Sequence, residues 1–390
     1  MKKNKLISII LIIYIVLLSF NKYIKIFSIP LFCFPMFFLF IYVIIQIMKN
    51  WKIDKTTIFL LLWGIYAVIL MIMNYNITSL KSTTALITNI ITFIVINRLT
   101  NQNFEYIKDC IKGMKIALII NLLAAVWEII TKSHIMILTQ EYSRRFFGIP
   151  LTFYANANDL SVIMVSFIAI LLIDIIINKS NEKSFINKAF TGLLIISSYY
   201  IIIKTNSLIG KVAFPAIISL TIFIKLYYRR KSKAILIILI ALIIILIYIA
   251  TGNIMQMKEN ESFSSRIVIW KSVVNLFIKS NGTGIGPGQN EVIGVGQVHC
   301  LPLEILSEYG IFVFFLFTTI YIQGIICAKN NIILMQKEKD MSIISCIILA
   351  FLLILIALSI STSSMTKLYI TWGVISICYA ILKNIKEVNK

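Results

Sequence analysis

Long apolar runs, broken by short polar segments, recur along nearly the whole chain. Several reach about 18 to 20 residues, enough for a helix to cross a hydrocarbon core of roughly 30 Å. The pattern places twelve spans at about 6–20, 30–48, 56–73, 81–97, 114–131, 158–177, 189–203, 209–227, 234–250, 301–327, 341–360 and 368–383. The predicted fold is an all-α integral membrane protein. The apolar pattern lapses longest before the tenth span. This divides the chain into helices 1–9 (residues 1–250), a large loop (251–300) and helices 10–12 (301–390).

Composition agrees: 59% of the 390 residues are hydrophobic, above the half expected of a soluble domain. The net charge of +21 would raise nucleic acid as a partner of a soluble protein; in a membrane protein it is first a question of sorting. With the N-terminus inside, the larger share of the 37 lysines and arginines falls in cytoplasmic segments, so both termini are expected there and the large loop outside. Outer positives concentrate at Lys132, Arg144 and Arg145 and at Lys258, Arg266, Lys271 and Lys279. Either those segments escape the sorting rule or the charges bind an anion. The start MKKNK with its apolar run resembles a signal peptide, but no small-residue cleavage site follows, so an uncleaved first span is expected. The six cysteines are scattered, with neither disulfide nor CxxC spacing. The abundance of Ile, Lys and Asn suits an AT-rich bacterial genome.

Candidate chemistry lies in the outer segments. Trp51 and Trp63 suit interface anchors, and Glu128 and Asp174 are expected at the interface because charge deep in a span is costly. In the loop after the fifth span, Arg144 and Arg145 precede an aromatic pair; either could grip phosphate bidentately, or the loop could simply be interfacial. Asn158 suits the N-cap of the sixth span. The turn between spans seven and eight carries Lys204 and Lys211, readable as snorkelling lysines. The run 227–233 suits a cytoplasmic anchor that touches anionic lipid. The polar segment 98–115 suits short amphipathic structure.

In the large loop, 263–279 reads as an amphipathic helix capped by Ser262 or Ser264. Ile267, Trp270, Val274 and Phe277 share one face, and Lys271, Asn275 and Lys279 form a polar stripe. Arg266 lies away from that stripe and could point to the bundle. The glycine run 281–288, which includes Gly286, allows close backbone approach to a ligand or to the spans, or plain flexibility; without a preceding strand it is no dinucleotide fingerprint. His299 precedes Pro302, at the first turn of span ten, and Glu304 and Glu308 lie one turn apart. A histidine there can accept a proton or be merely structural. It makes no metal site alone, and Cys300 lacks the orienting partners of a nucleophile.

Arg266-x-x-x-Trp270, the glycines 282–288, His299 and Glu308-Tyr-Gly310, in that order before a span, resemble the outer-loop signature of the O-antigen ligase and polymerase superfamily of bacterial membrane glycosyltransferases. The layout, with its largest outer loop between spans nine and ten, is similar too, as is the Arg-Arg-x-x-Gly segment before Asn156-x-Asn158. One departure stands out: members often carry arginine after Thr-x-Ser in the turn between spans seven and eight, where Thr205-Asn-Ser207 is followed by Leu208. The resemblance implies a repeat-unit polymerase for capsule, exopolysaccharide or O-antigen. It would use polyprenyl-pyrophosphate-linked oligosaccharide as donor and acceptor, without cofactor, metal or nucleic acid, at the extracytoplasmic face of the cell membrane. His299 would be the base. Arg266, Arg144, Arg145 and Lys211 would hold the pyrophosphate, with Trp270, Glu308 and Gly286 in support, and a chain-length regulator and a flippase as further partners. The alternatives are ligase-type transfer to a lipid or protein acceptor, or a flippase of lipid-linked oligosaccharide. A source without lipid A favours polymerisation.

Overall fold

A computed structural model of the chain describes residues 3–21, 23–27, 29–50, 53–136, 139–154, 156–177, 184–230, 261–335, 338–360 and 362–385. The expected ninth span, Lys258 and Trp51 lie outside the described residues, as do the side chains of Ser262 and Ser264. The elements are α1 (Lys5–Leu18), a two-stranded hairpin (Lys25–Ile26, Ile29–Pro30), α2 (Cys33–Asn50), α3 (Lys55–Met73), α4 (Ile77–Gln102), α5 (Glu105–Thr131), the short α6 (Gln140–Arg145), α7 (Ala157–Ile177), α8 (Ser184–Lys204), α9 (Leu208–Arg230), α10 (Glu261–Lys279), the short α11 (Gln289–Val292), α12 (Leu301–Leu334), α13 (Lys339–Ser359), a single 3₁₀ turn (Met365–Lys367) and α14 (Tyr369–Ile385). Among the described residues, eight of these helices are long and apolar enough to cross a membrane: α3, α4, α5, α7, α8, α9, α12 and α13. α1, α2 and α14 are shorter apolar helices. The chain is an all-α membrane protein.

Helix starts follow local chemistry. Asn4, Asp54 and Asn76 accept backbone N–H bonds from Leu6 (3.0 Å), Thr57 (2.8 Å) and Ser79 (2.8 Å), meeting donors that would otherwise lack partners at a helix start. α4 is rich in Ser, Thr and Asn yet buried on most sides. Its Thr83, Thr88 and Thr92 hydroxyls donate to the carbonyls four residues back at 2.7–2.8 Å, so these polar groups sit in the bundle without an unmet donor. Around this core, α14 lies along α4, α13 along α9 and α12, and α1 along α5.

Ion pairs show which connections share an end of the bundle. Lys3 meets Asp109 at 2.9 Å and Lys383 meets Asp54 at 2.8 Å. The two described chain ends thus sit with the α2–α3 and α4–α5 connections. The opposite end gathers the α5–α7 segment, α10, α11 and the α13–α14 connection.

Several local expectations need correcting. Residues 98–115 form no separate amphipathic piece: α4 runs to Gln102 and α5 starts at Glu105, with Asp109 held by Lys3. Trp63 is fully buried rather than interfacial, with its ring edge-on to Tyr309 and Trp372 at 5.8 and 6.0 Å. α7 starts at Ala157, and the Asn156 side chain, not that of Asn158, accepts the first-turn N–H (2.9 Å). Asp174 is buried and paired with Lys115, itself bonded to Thr191 at 3.0 Å. Glu128 is 2% exposed. It accepts backbone N–H bonds from Ile135 (2.8 Å), Leu151 (2.6 Å) and Thr152 (2.8 Å). One carboxylate thereby closes the loop that carries α6. Polar loop backbone, invisible to a hydropathy pattern, thus buries a carboxylate within the protein.

Candidate active site

α10 presents its inward face to the bundle at Arg266, Trp270, Val273 and Phe277. Val273 is buried, whereas Ile267 and Val274 are each 39% exposed. The buried stripe is therefore turned by about one residue from the apolar face read in the sequence, and it includes the arginine. The stripe of Lys271, Asn275 and Lys279 is exposed as expected. Arg266 is half-buried and donates to the Ile360 carbonyl at 3.2 Å. Among the described residues it has no carboxylate partner, so most of its five donors stay available. Burial pushes its pKa down. The Trp270 indole N–H donates to the Val298 carbonyl at 2.9 Å, which fixes the backbone just before His299.

The glycine run docks on a break in α12. Gly310 has φ 76° and ψ −177°, which interrupts that helix. The break frees the Ser307 and Glu308 carbonyls and the Ile311 N–H. Each is taken up by the run: Ile285 N–H to Ser307 O, Gly286 N–H to Glu308 O, and Ile311 N–H to Gly282 O, all at 2.9 Å. Irregular backbone at this depth persists only when its polar groups are met. Glycine is needed at Gly284, where a Cβ would come within 2.7 Å of the Glu308 carbonyl oxygen. Tyr66 caps the Thr283 carbonyl (2.9 Å) and Gln289 the Asn74 carbonyl (2.7 Å). Of the readings open from sequence, the run matches close approach to the spans.

His299 follows this scaffold with φ +51°, a left-handed backbone that non-glycine residues rarely adopt. Its Nδ1 lies 2.5 Å from the Thr362 carbonyl oxygen. A carbonyl only accepts, so Nδ1 carries the proton, and Nε2 of the neutral ring keeps a lone pair. Burial lowers the imidazole pKa; the Thr362 bond opposes this and the nearby Arg266 charge adds to it. Burial pushes the Cys300 thiol up, and the Glu304 charge adds to that. Thiolate chemistry is therefore disfavoured next door.

The sequence reading missed the hub of this arrangement, the connection between α13 and α14. Its carbonyls at Ile360 and Thr362 take Arg266 and His299. Ser363 gives its N–H (2.9 Å) and hydroxyl (2.7 Å) to the Asp159 carboxylate on α7. Ser364 and Thr366 donate to Glu304 at 2.5 and 2.7 Å, and the Thr366 carbonyl accepts from Asn89 at 2.5 Å. Lys367 pairs with Glu291; burial lowers its pKa, but the Glu291 bond and charge, with Glu304 and Glu308, outweigh that and raise it. Glu308 accepts from Asn290 at 3.2 Å and from the Gly288 N–H. The only advance signal was the dense Ser and Thr content of residues 359–367 between two spans.

The other sequence candidates are not joined to this cluster by any contact among the described residues. Arg144 and Arg145 are exposed on α6, with Arg145 over the Phe146 ring at 5.7 Å. Lys211 bonds the Asn206 side chain at 3.4 Å, and Lys204 lies 5.5 Å over the Tyr200 ring. All four belong to the same end of the bundle as His299. Among the described residues, no group of three His, Cys, Asp or Glu side chains could hold a metal ion.

Compared with known proteins, residues 191–318 match the family model described as O-antigen ligase. The match runs from within α8 to within α12 and takes in Lys204, Lys211, Arg266, Trp270, the glycine run, His299 and Gly310. It leaves out Arg144, Arg145 and the α13–α14 hub. No curated protein matches the chain. The segment that carries Arg266 and His299 is thus similar to the O-antigen ligase family, in a chain that is otherwise an all-α membrane protein.

Proposed function

We propose that the protein is a membrane glycosyltransferase of the repeat-unit polymerase kind, acting on polyprenyl-pyrophosphate-linked oligosaccharide at the extracytoplasmic face of a bacterial cell membrane. One observation carries the reading: a half-buried guanidinium with no counter-ion among the described residues stands beside a histidine whose Nδ1 is pinned and whose Nε2 has no partner among them. That pairing suits a reaction in which an anionic leaving group departs as a hydroxyl loses its proton. His299 Nε2 takes the proton of an acceptor sugar hydroxyl. The oxygen bonds to the anomeric carbon of the donor glycan, and the bond from that carbon to the pyrophosphate oxygen breaks. Its electron pair leaves on polyprenyl pyrophosphate, whose charge Arg266 meets with its unused donors. Arg144, Arg145 and Lys211 would complete the cationic site around the diphosphate. Trp270, Gly286 and Glu308 hold the backbone that carries His299 and the broken helix. A flippase and a chain-length regulator are the partners such a polymerase would need.

Ligation is the second reading; the family match favours it as much, because the chemistry differs only in the acceptor. Purified protein in liposomes separates the two. Lipid-linked repeat units alone should yield a ladder of longer glycans. Transfer only after a separate lipid or protein acceptor is added would replace polymerase with ligase, and no transfer with either would end both readings. In the same assay Arg266→Ala should raise the donor KM and lower kcat, with Arg266→Lys intermediate. Lysine keeps the charge but not the planar fork. Equal, negligible effects would remove the pyrophosphate role.

A further inference from the structure

At the end of the bundle opposite His299, α9 and α13 flank a half-open cavity of about 330 Å³ lined by Lys225, Tyr228, Arg229, Lys339 and Ser342. Lys225 and Arg229 are four residues apart on α9 and share a face. Lys339 opens α13 across from them. Three cations thus surround one space, with no carboxylate among its described lining residues and no ion pair of their own among the described residues. Lys225 is half-buried while Arg229 and Lys339 are exposed, so an anion in that space would meet three cations at once. The cavity sits where two membrane-crossing helices end, α9 in its last turns and α13 in its first. This is the depth of lipid phosphates rather than of bulk water.

We infer that this cavity binds the phosphate of an anionic membrane lipid, with Lys225, Arg229 and Lys339 around the phosphate and the Ser342 hydroxyl as a further donor. The site is independent of the transfer reaction. It clamps α9 to α13, whose far end continues into the connection that holds Arg266 and His299.

The test is thermal unfolding and native mass spectrometry of the full-length protein in neutral detergent. The probes are short-chain phosphatidylglycerol, phosphatidylcholine as the zwitterionic control, and inorganic phosphate as the soluble anion. Wild type should gain melting temperature and retain a bound lipid with phosphatidylglycerol alone. The K225Q/R229Q/K339Q variant should lose that gain. The milder R229Q should bind phosphatidylglycerol about fivefold more weakly, the value of one cation near a membrane surface. Equal responses to both lipids, or an undiminished gain in R229Q, would overturn the inference. An equal response to inorganic phosphate would assign the site to a soluble anion and overturn its lipid identity. Should the triple variant fail to fold, R229Q and the wild-type comparison of lipids decide the matter.

Discussion

Replacing His299 by alanine should lower glycan transfer by about a hundred- to ten-thousand-fold, the range for loss of a positioned general base, while the protein still folds and inserts. Among the described residues the ring makes one hydrogen bond, to the Thr362 carbonyl, so stability should change little beside the loss of rate. The pH dependence is a finer test of the role. Burial and the Arg266 charge hold the imidazole below its ordinary value of 6.5. The proton-accepting form is present above the lowered pKa and is lost as pH falls through it. Wild-type activity should therefore persist below pH 6.5 before it declines. In Arg266→Gln the residual activity should fall earlier on acidification, because the charge that disfavours the imidazolium is gone. Rates of His299→Ala equal to wild type, or an acidic limb unmoved by Arg266→Gln, would remove His299 as the base. Rates come from product ladders over a pH series, and folding from the melting temperature of the same preparations.

Gly310→Ala should be the most disruptive single change to stability in the site, at about 3 kcal/mol or more. Two effects add. The position needs φ +76° and ψ −177°, a combination essentially reserved for glycine. A Cβ there would also overlap the Thr283 carbonyl group and the Gly282 carbonyl oxygen. These are backbone atoms with no room to swing aside, so the glycine run must lift off α12. Lifting exposes the Ser307 and Glu308 carbonyls and the Ile311 N–H at once. The expected result is a large fall in melting temperature and rapid proteolysis between Lys279 and His299. Gly148→Ala is the control: φ is also positive there, but nothing lies within 4 Å of the added carbon. If the two variants melted alike, packing of the glycine run on the broken helix would not be what holds the loop.

The contrast between these two positions shows where the sequence was readable. The all-α class and the rough limits of the described helices followed from apolar run length, because a bilayer leaves the backbone few choices. The inward turn of Arg266 was readable from its place opposite the lysine stripe. The break at Gly310 was not, because one glycine inside an apolar run looks like any small residue. It is defined only by the run 282–286, some 25 residues earlier, that pairs with it. The burial of Glu128 and Asp174 was illegible for a related reason. Each is satisfied by partners outside its own helix, three loop amides for one and Lys115 on another helix for the other. The α13–α14 connection was the largest omission. It acts through backbone carbonyls and hydroxyls, which carry no residue-type signature of the kind that marks an arginine or a histidine.

The account depends on the Arg266–His299 end facing away from the cytoplasm, where a lipid-linked diphosphate donor is presented. Cysteine accessibility in intact cells tests this most directly. With the six native cysteines replaced, one cysteine is placed at Val292, half-exposed beside Glu291 and Lys367. A second variant carries it at Lys108, exposed at the opposite end. A membrane-impermeant maleimide should label position 292 in intact cells, and position 108 only after the membrane is opened. The reverse pattern would place His299 on the cytosolic side and contradict glycosyl transfer from an outward-facing donor.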